Sequence, residues 1–201
     1  MTHVAVAFHA GLDQLQPLAE SIAEGAGAQL VPIDARGQLS ADGWDTLKVA
    51  TTIIFGAPAD TDGLSWQFRK FAAAMSNPAL AQVWERKLFA GFTHGVDSLA
   101  DKLRAHDDFF ALAMQLGGLW VGSSLLPDAK PAAGRPKGTW IGSLGSAMAQ
   151  SLAHSSAAAR LPVNLDSGRQ FGRQVAEAAA RLEDWLLSCG LDQLKRGLHW
   201  R

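Results

Sequence analysis

Two histidines are the side chains best suited to proton transfer, and each follows a strongly apolar run. His9 comes directly after VAVAF, and His94 comes directly after KLFAGFT. If both runs are strands of one parallel sheet, both histidines lie at its carboxyl edge, where such sheets bind ligands. Facing each other across the cleft, with Asp60 or Asp97 nearby, they could act as general acid and base. The alternative is that both are exposed loop histidines without a catalytic role.

The other reactive residues argue against two further kinds of chemistry. The single Cys189 excludes an intramolecular disulfide and a CxxC metal site, and the chain has no G-x-S-x-G segment for a serine nucleophile. Asp60 and Asp62 lack a third ligand at a suitable spacing, so we expect a solvated polar loop there and no metal. Nucleophilic hydrolysis and metal catalysis are therefore not expected.

The composition is that of a single globular domain. At 201 residues with 48% apolar residues, the chain suits one domain, residues 1–201, with a sizeable core. A formal net charge of −1 gives no electrostatic case for nucleic acid. The N-terminal MTHVAVAF has no basic region, so we interpret it as a strand rather than a signal peptide. No apolar run approaches the length of a membrane span. We expect a cytoplasmic protein with neither nucleic-acid nor membrane partners.

Apolar runs alternate along the chain with segments of helical periodicity. The runs at residues 4–8, 30–33, 51–56, 87–93 and 119–121 are typical of buried strands. This alternation predicts a doubly wound, five-stranded parallel sheet with right-handed crossovers and helices on both faces. Because no GxGxxG follows any strand, the dinucleotide-binding order is disfavoured, and we predict the strand order 2-1-3-4-5.

Two stretches fall outside this alternation. Residues 123–160 begin as a Pro/Gly/Lys-rich surface excursion and continue as a Ser/Ala/Gly-rich run without a strong period. A long, weakly patterned segment in a compact domain is often functional or packed against a partner. The C-terminal tail, residues 191–201, reads LDQLKRGLHWR, and its sequence assigns it no role.

Five stretches carry a family resemblance. They are AESIAEGA at residues 19–26, IIFGAP at 53–58, QFRKFA at 67–72, KLFAGFT at 87–93 and the Gly/Ser-rich residues 140–151. Together they resemble the WrbA family of flavodoxin-like, FMN-dependent NAD(P)H:quinone oxidoreductases. The similarity extends over nearly the whole chain, to about Leu187. It implies a flavodoxin-like fold with the strand order given above.

The resemblance also implies a cofactor, substrates and partners. FMN would be the cofactor, NAD(P)H the hydride donor and a quinone the acceptor. The family is tetrameric, so we expect this chain to form a homodimer or homotetramer, with residues 123–160 and Trp140 as the interface. The residues that would hold FMN, chiefly through backbone groups, are Gly11, Gln14, Pro58, Ala59, Thr93 and His94.

The loop that should hold the FMN phosphate departs from the family pattern. Where family members carry a Ser-Gly-x-Gly-His-Thr-like loop, residues 10–15 read AGLDQL, so only Gly11 matches and both hydroxyls are missing. Asp13 places a carboxylate where the phosphate would sit. The repulsion is about 4 kcal/mol at a few ångströms and an effective dielectric constant of about 20. Alternatively, Asp13 caps its own helix and no ligand is needed.

The expected ring-binding region departs from the family as well. Leu116 corresponds to a histidine that the family sets near the flavin, and the chain has no tyrosine to stack on the ring. Trp120 or Trp140 could stack on the ring instead, but Trp66, Trp84, Trp120 and Trp185 are expected in the core or at an interface. Two functions stay open. One is an FMN-dependent NAD(P)H:quinone oxidoreductase with weakened or lost FMN binding. The other is a non-catalytic, flavodoxin-fold binding or structural protein.

Overall fold

The computed structural model describes residues 3–11, 15–60, 63–95, 99–122, 147–150 and 165–188. The strands are β1 (Val4–His9), β2 (Gln29–Ile33), β3 (Thr52–Asp60), β4 (Gly63–Leu64), β5 (Leu88–Gly95), β6 (Leu119–Trp120) and β7 (Ala147–Gln150). The helices are α1 (Leu15–Ala26), α2 (Ala41–Val49), α3 (Trp66–Met75), α4 (Ala81–Trp84), α5 (Leu99–Gln115) and α6 (Leu165–Ser188), with a 3-10 turn at Pro78–Leu80. None of these described helices combines the length and the apolar composition needed to cross a membrane.

The strands form a parallel sheet in the order β2-β1-β3-β5-β6. The two-residue β4 pairs antiparallel with the end of β3. Leaving β4 out of the count gives the predicted order 2-1-3-4-5. The prediction of a flavodoxin-like, doubly wound parallel sheet is therefore confirmed.

The outermost position beside β5 is filled by two separate strands. β6 pairs with the start of β5, at Leu88 and Phe89, and β7 pairs with its end, from Phe92 to Gly95. The sequence predicted the first of these strands but none in the Ser/Ala/Gly-rich run where β7 lies. That run has no period-2 alternation to indicate a strand. Its pairing with β5 is a tertiary interaction, which the local sequence does not encode.

Strands β1, β3 and β5 are covered on both faces, which explains their almost continuous apolar sequences. On one side, called here the α1–α6 face, Val6, Ile54 and Phe92 pack with residues of α1 and α6. On the other, the α3–α5 face, the ring of Phe55 lies 5.2 Å from that of Phe89, between centroids, and packs with phenylalanines of α3 and α5. Because successive side chains of a strand point to opposite faces, the position of a residue in its strand fixes its face.

Lys87 ties the start of β5 to the end of α2. Its Nζ donates to the carbonyls of Leu47 at 3.1 Å, Lys48 at 2.7 Å and Ala50. These are carbonyls at the C-terminal end of a helix, which a cation stabilises. Burial lowers the pKa of Lys87 to about 8. The ammonium group of Lys87 therefore has a structural role, because it binds backbone carbonyls inside the fold.

Helices α1 and α6 touch through glycines. A Cβ atom at Gly25 would overlap the main chain of Arg169, and one at Gly172 would overlap the carbonyl group of Ile22. Gly168, one turn before Gly172, faces a serine hydroxyl of α1 in the same way. The missing side chains bring the two helix backbones into direct contact. The lateral position of α1 on the sheet is set by this contact.

Gly172→Ala should destabilise the fold, although alanine is the better helix former. In an isolated helix the change would contribute about 1 kcal/mol of stability. Here the added methyl group has to displace α6 from α1, an overpacking cost of about 1–3 kcal/mol. Urea unfolding measures the net change. A variant more stable than the parent chain would show that the two helices do not touch at this point.

Candidate functional site

The carboxyl ends of β1, β3 and β5 meet at one edge of the sheet, and α1, α3 and α5 all start there. From β1 the chain crosses to β2 on one side, while β3 lies on the other, so the connections diverge at this point. Ligands of open α/β sheets bind at such a switch point. The first turn of α1, which starts at Leu15, carries no acidic side chain. The N–H groups of a first helical turn have no acceptor within their own helix and suit an anion.

Two of the predicted cofactor residues, Gly11 and Pro58, lie against each other at this edge. Gly11 has φ +34°. A Cβ atom added there would lie 2.7 Å from Cγ of Pro58 and 3.1 Å from Cε1 of His9. Only glycine meets both the backbone conformation and the available space. The loop between β1 and α1 is thus packed onto the end of β3.

His9 is held by the start of α3. Its side chain is buried, and its Nδ1 lies 3.2 Å from Oγ of Ser65, the residue that precedes α3. Since Ala5 and Ala7 of β1 lie on the α3–α5 face, the alternation places His9 there too. The histidine thus joins the ends of β1 and β4 to the start of α3.

Thr93 and His94 occupy the end of β5. The hydroxyl of Thr93 donates to the carbonyl of Ala57 at 2.8 Å, so it fastens β5 to β3. His94 pairs in register with Pro58, and alternation places it on the α1–α6 face, opposite to His9. The two histidines therefore do not face each other. The expectation of exposed histidines is also wrong, because both rings are buried.

Pro58 and Ala59 belong to a strand, whereas the sequence predicted that this strand ends at residue 56 and that a loop follows it. β3 continues to Asp60, and Ala59 pairs with Leu64 of β4. Gly63, with φ +97°, follows the turn, and a Cβ atom there would lie 2.7 Å from Oδ2 of Asp108 on α5. Proline, aspartate and glycine are typical loop residues, so the local sequence hides this hairpin. The hairpin extends the wall of the site beyond the parallel sheet.

The correspondence of Leu116 with a flavin-contacting histidine is wrong. Leu116 follows the C-terminal end of α5, and it is buried in the core of the α3–α5 face. Next to it, the carbonyl of Gly117 accepts a hydrogen bond from the backbone N–H of Arg86, just before β5 starts. Leu116 therefore lies at the amino edge of the sheet, opposite the candidate site.

Trp66 was expected in the core or at an interface, but it lies at the candidate site. It is the first residue of α3, at the carboxyl edge, and its side chain is 53% exposed. One indication of this position was present in the sequence, since Trp66 directly follows Ser65 at the start of a helix on the predicted ligand-binding edge. Trp120, in contrast, is partly buried and packs edge-on against His106 and Phe110.

Some predicted site residues lie outside the described part of the chain. Residues 12–14, which include Asp13 and Gln14, and residues 61–62 and 96–98, which include Asp62 and Asp97, are among them. So are the predicted interface residue Trp140 and the tail, residues 191–201. The structure places the other predicted FMN-binding residues, Gly11, Pro58, Ala59, Thr93 and His94, at one edge of the sheet, and their binding of FMN stays a prediction.

The parallel sheet, its order and the helix that starts at the switch point define a flavodoxin-like protein. The chain belongs to the flavodoxin family: it is 33% identical over 182 residues to flavodoxin FldP of Pseudomonas aeruginosa (strain UCBPP-PA14), which covers 90% of this chain and 99% of that protein. The crystal structure of the flavodoxin, WrbA-like protein from Agrobacterium tumefaciens is 36% identical, covers 90% of this chain and 99% of that one, and superposes with a TM-score of 0.72. A flavodoxin from the domain Archaea shares the fold, with 15% identity and a TM-score of 0.53 over 88% of this chain and 99% of that one. No protein-family model matches the chain.

Gly11→Ala should cost more stability than Gly27→Ala. Both glycines have positive φ, +34° and +61°, so each substitution carries a backbone strain of about 1–2 kcal/mol. Only the methyl group at position 11 also meets Pro58, because nothing lies within 4 Å of a Cβ atom at Gly27. Urea unfolding of both variants measures the difference. Equal losses would contradict the close packing of the loop on β3.

Proposed function

We propose that this chain binds FMN at the carboxyl edge of β1, β3 and β5 and acts as an FMN-dependent NAD(P)H:quinone oxidoreductase. The observation that carries the proposal is the cradle at the switch point. There Gly11, with its positive φ, leads from β1 into the start of α1 and packs on Pro58. Membership of the flavodoxin family and 36% identity to a WrbA-like flavodoxin support it.

The residues at this edge fit an FMN that is held mainly by main-chain groups. Gly11 allows a ligand to approach the backbone closely, and the N–H groups at the start of α1 suit a phosphate. Gln14 supplies an amide donor in the same loop, in place of the missing hydroxyls. When bound, FMN would supply the redox chemistry, because it can accept a hydride from NAD(P)H and pass two electrons to a quinone.

The chain's own groups would position the ring and exclude water. Pro58, Ala59, Thr93 and His94 at the ends of β3 and β5 present backbone groups to it. The hydroxyl of Thr93 donates a hydrogen bond to the carbonyl of Ala57, so Thr93 holds the ends of β3 and β5 together. The exposed ring of Trp66 offers a flat apolar surface at the same edge.

A second function, a flavodoxin-fold protein that binds no FMN, is favoured by one specific observation. At the positions where the family carries its phosphate-binding hydroxyls, this chain has Ala10 and a fully buried Leu15. A buried leucine packs in the core and offers no hydrogen bond to a phosphate. The two functions differ in a measurable property, the affinity for FMN.

An FMN titration distinguishes these functions. We expect purified protein to quench flavin fluorescence and turn yellow, with Asp13→Asn binding FMN about tenfold more tightly because it removes one like charge near the phosphate. Asp107→Asn is the matched control. It removes the same charge from an exposed position in the middle of α5 and should leave the affinity unchanged. The second function would be established if the parent chain and both variants are colourless after incubation with excess FMN and removal of the unbound flavin.

Turnover tests the remaining part of the proposal. With FMN bound, the protein should oxidise NADH or NADPH only when benzoquinone is present, followed as the loss of nicotinamide absorbance. The FMN-free protein measures the background rate. If the FMN-loaded protein shows no quinone-dependent oxidation with either nucleotide, the oxidoreductase assignment is wrong even though the cofactor binds.

A further inference from the structure

An apolar groove of about 450 Å³ opens at the amino edge of the sheet, opposite the FMN site. Along it lies a row of paired residues at the starts of three adjacent strands, Thr52 of β3, Leu88 of β5 and Leu119 of β6. The last turns of α6 form a wall, to which Leu182 and Leu186 contribute. The groove belongs to the α1–α6 side of the sheet and uses no residue of the proposed cofactor site.

Large apolar side chains stand exposed along this groove. Val49 at the end of α2 is 66% exposed, Trp185 of α6 is 57% exposed and Leu119 is 49% exposed, and all three line it. Single exposed apolar residues are common, but several around one concave surface mark a surface that binds something. The groove therefore needs an apolar occupant.

The sequence that follows α6 has the chemistry to be that occupant. The described helix ends at Ser188, within one turn of the groove residue Trp185. Beyond it, Leu191, Leu194 and Leu198 recur at spacings of three and four, which is the pattern of one apolar helix face. The thirteen residues 189–201 would span about 20 Å as a helix, enough to cover a groove of this size.

The tail is basic, whereas the groove is lined by charges of both signs. Lys195, Arg196 and Arg201 of the tail outnumber Asp192, so residues 191–201 carry a net positive charge. The groove is lined by the carboxylates of two glutamates, at positions 85 and 183, and by the guanidinium at position 86. The lysine at position 87 also lines it, but its ammonium group is bound by the carbonyls at the end of α2. The match of the tail to the groove therefore rests on apolar contacts.

We propose that residues 191–201 bind in this groove in cis, with Leu191, Leu194 and Leu198 covering Val49, Leu119 and Trp185. The tail then acts as a clasp that joins α6 to the starts of β3, β5 and β6. This inference is independent of FMN binding and of the oxidoreductase activity.

Thiol labelling tests the proposal. In a Cys189→Ser background, Val49→Cys places one thiol in the groove, and Met114→Cys places one on an exposed part of α5 outside it. We expect a maleimide to label the thiol at position 49 at least about tenfold more slowly in the full chain than in a chain ending at Ser188, because only opening of the clasp exposes it. The Met114→Cys protein should react at the same rate at both lengths. Equal rates for the Val49→Cys pair would overturn the proposal.

A second pair of variants keeps the test valid if the shortened chain does not fold. Leu194→Glu with Leu198→Glu in the full chain should restore fast labelling of the thiol at position 49. Gln193→Glu with His199→Glu adds the same charge away from the apolar face and should not. If protection instead depends on protein concentration and accompanies a dimer in size-exclusion chromatography, a second copy covers the groove and the proposal is wrong.

Discussion

The direct contact between the backbones of α1 and α6 is the constraint on which the functional edge depends. α1 delivers its first turn to the switch point, and its position on the sheet is set by glycines at 25, 168 and 172 rather than by interlocking side chains. Backbone contacts of this kind tolerate little displacement, because a close-packed interior transmits strain. A small shift of α6 would therefore be felt at the opposite end of α1, where the proposed phosphate site lies.

Two polar side chains in the described part of the carboxyl edge are engaged with neighbouring elements. Thr93 bonds to the main chain of β3, His9 lies in hydrogen-bond range of Ser65, and Gly63 is pressed against the carboxylate of Asp108. This makes the edge rigid and leaves main-chain groups and the exposed Trp66 as the surfaces offered to a ligand. Such a site selects by shape and by backbone hydrogen bonds.

The sequence predicted those strands and helices whose apolar residues are the ones that the fold buries. The VAVAF run that leads into His9, and the helix that follows it, are apolar where they are buried. The errors arose where tertiary contacts overrode local signals: Pro58 and Asp60 look like loop residues but extend β3, and β7 has no strand pattern before β5 pairs with it. Leu116 was misplaced because it was matched to the family pattern, although a helix that connects two parallel strands ends at the amino edge of the sheet.

The divided outer strand has a consequence for how this domain can change. β6 and β7 join the same side of β5 at different heights, so each has its register fixed independently of what connects them. An insertion between residues 122 and 147 would therefore be compatible with the pairs that both strands form with β5. In evolutionary terms this is a permissive insertion point, tied at both ends to the strand that carries Thr93 and His94. New specificity could be added beside the site there, with the rest of the domain left unchanged.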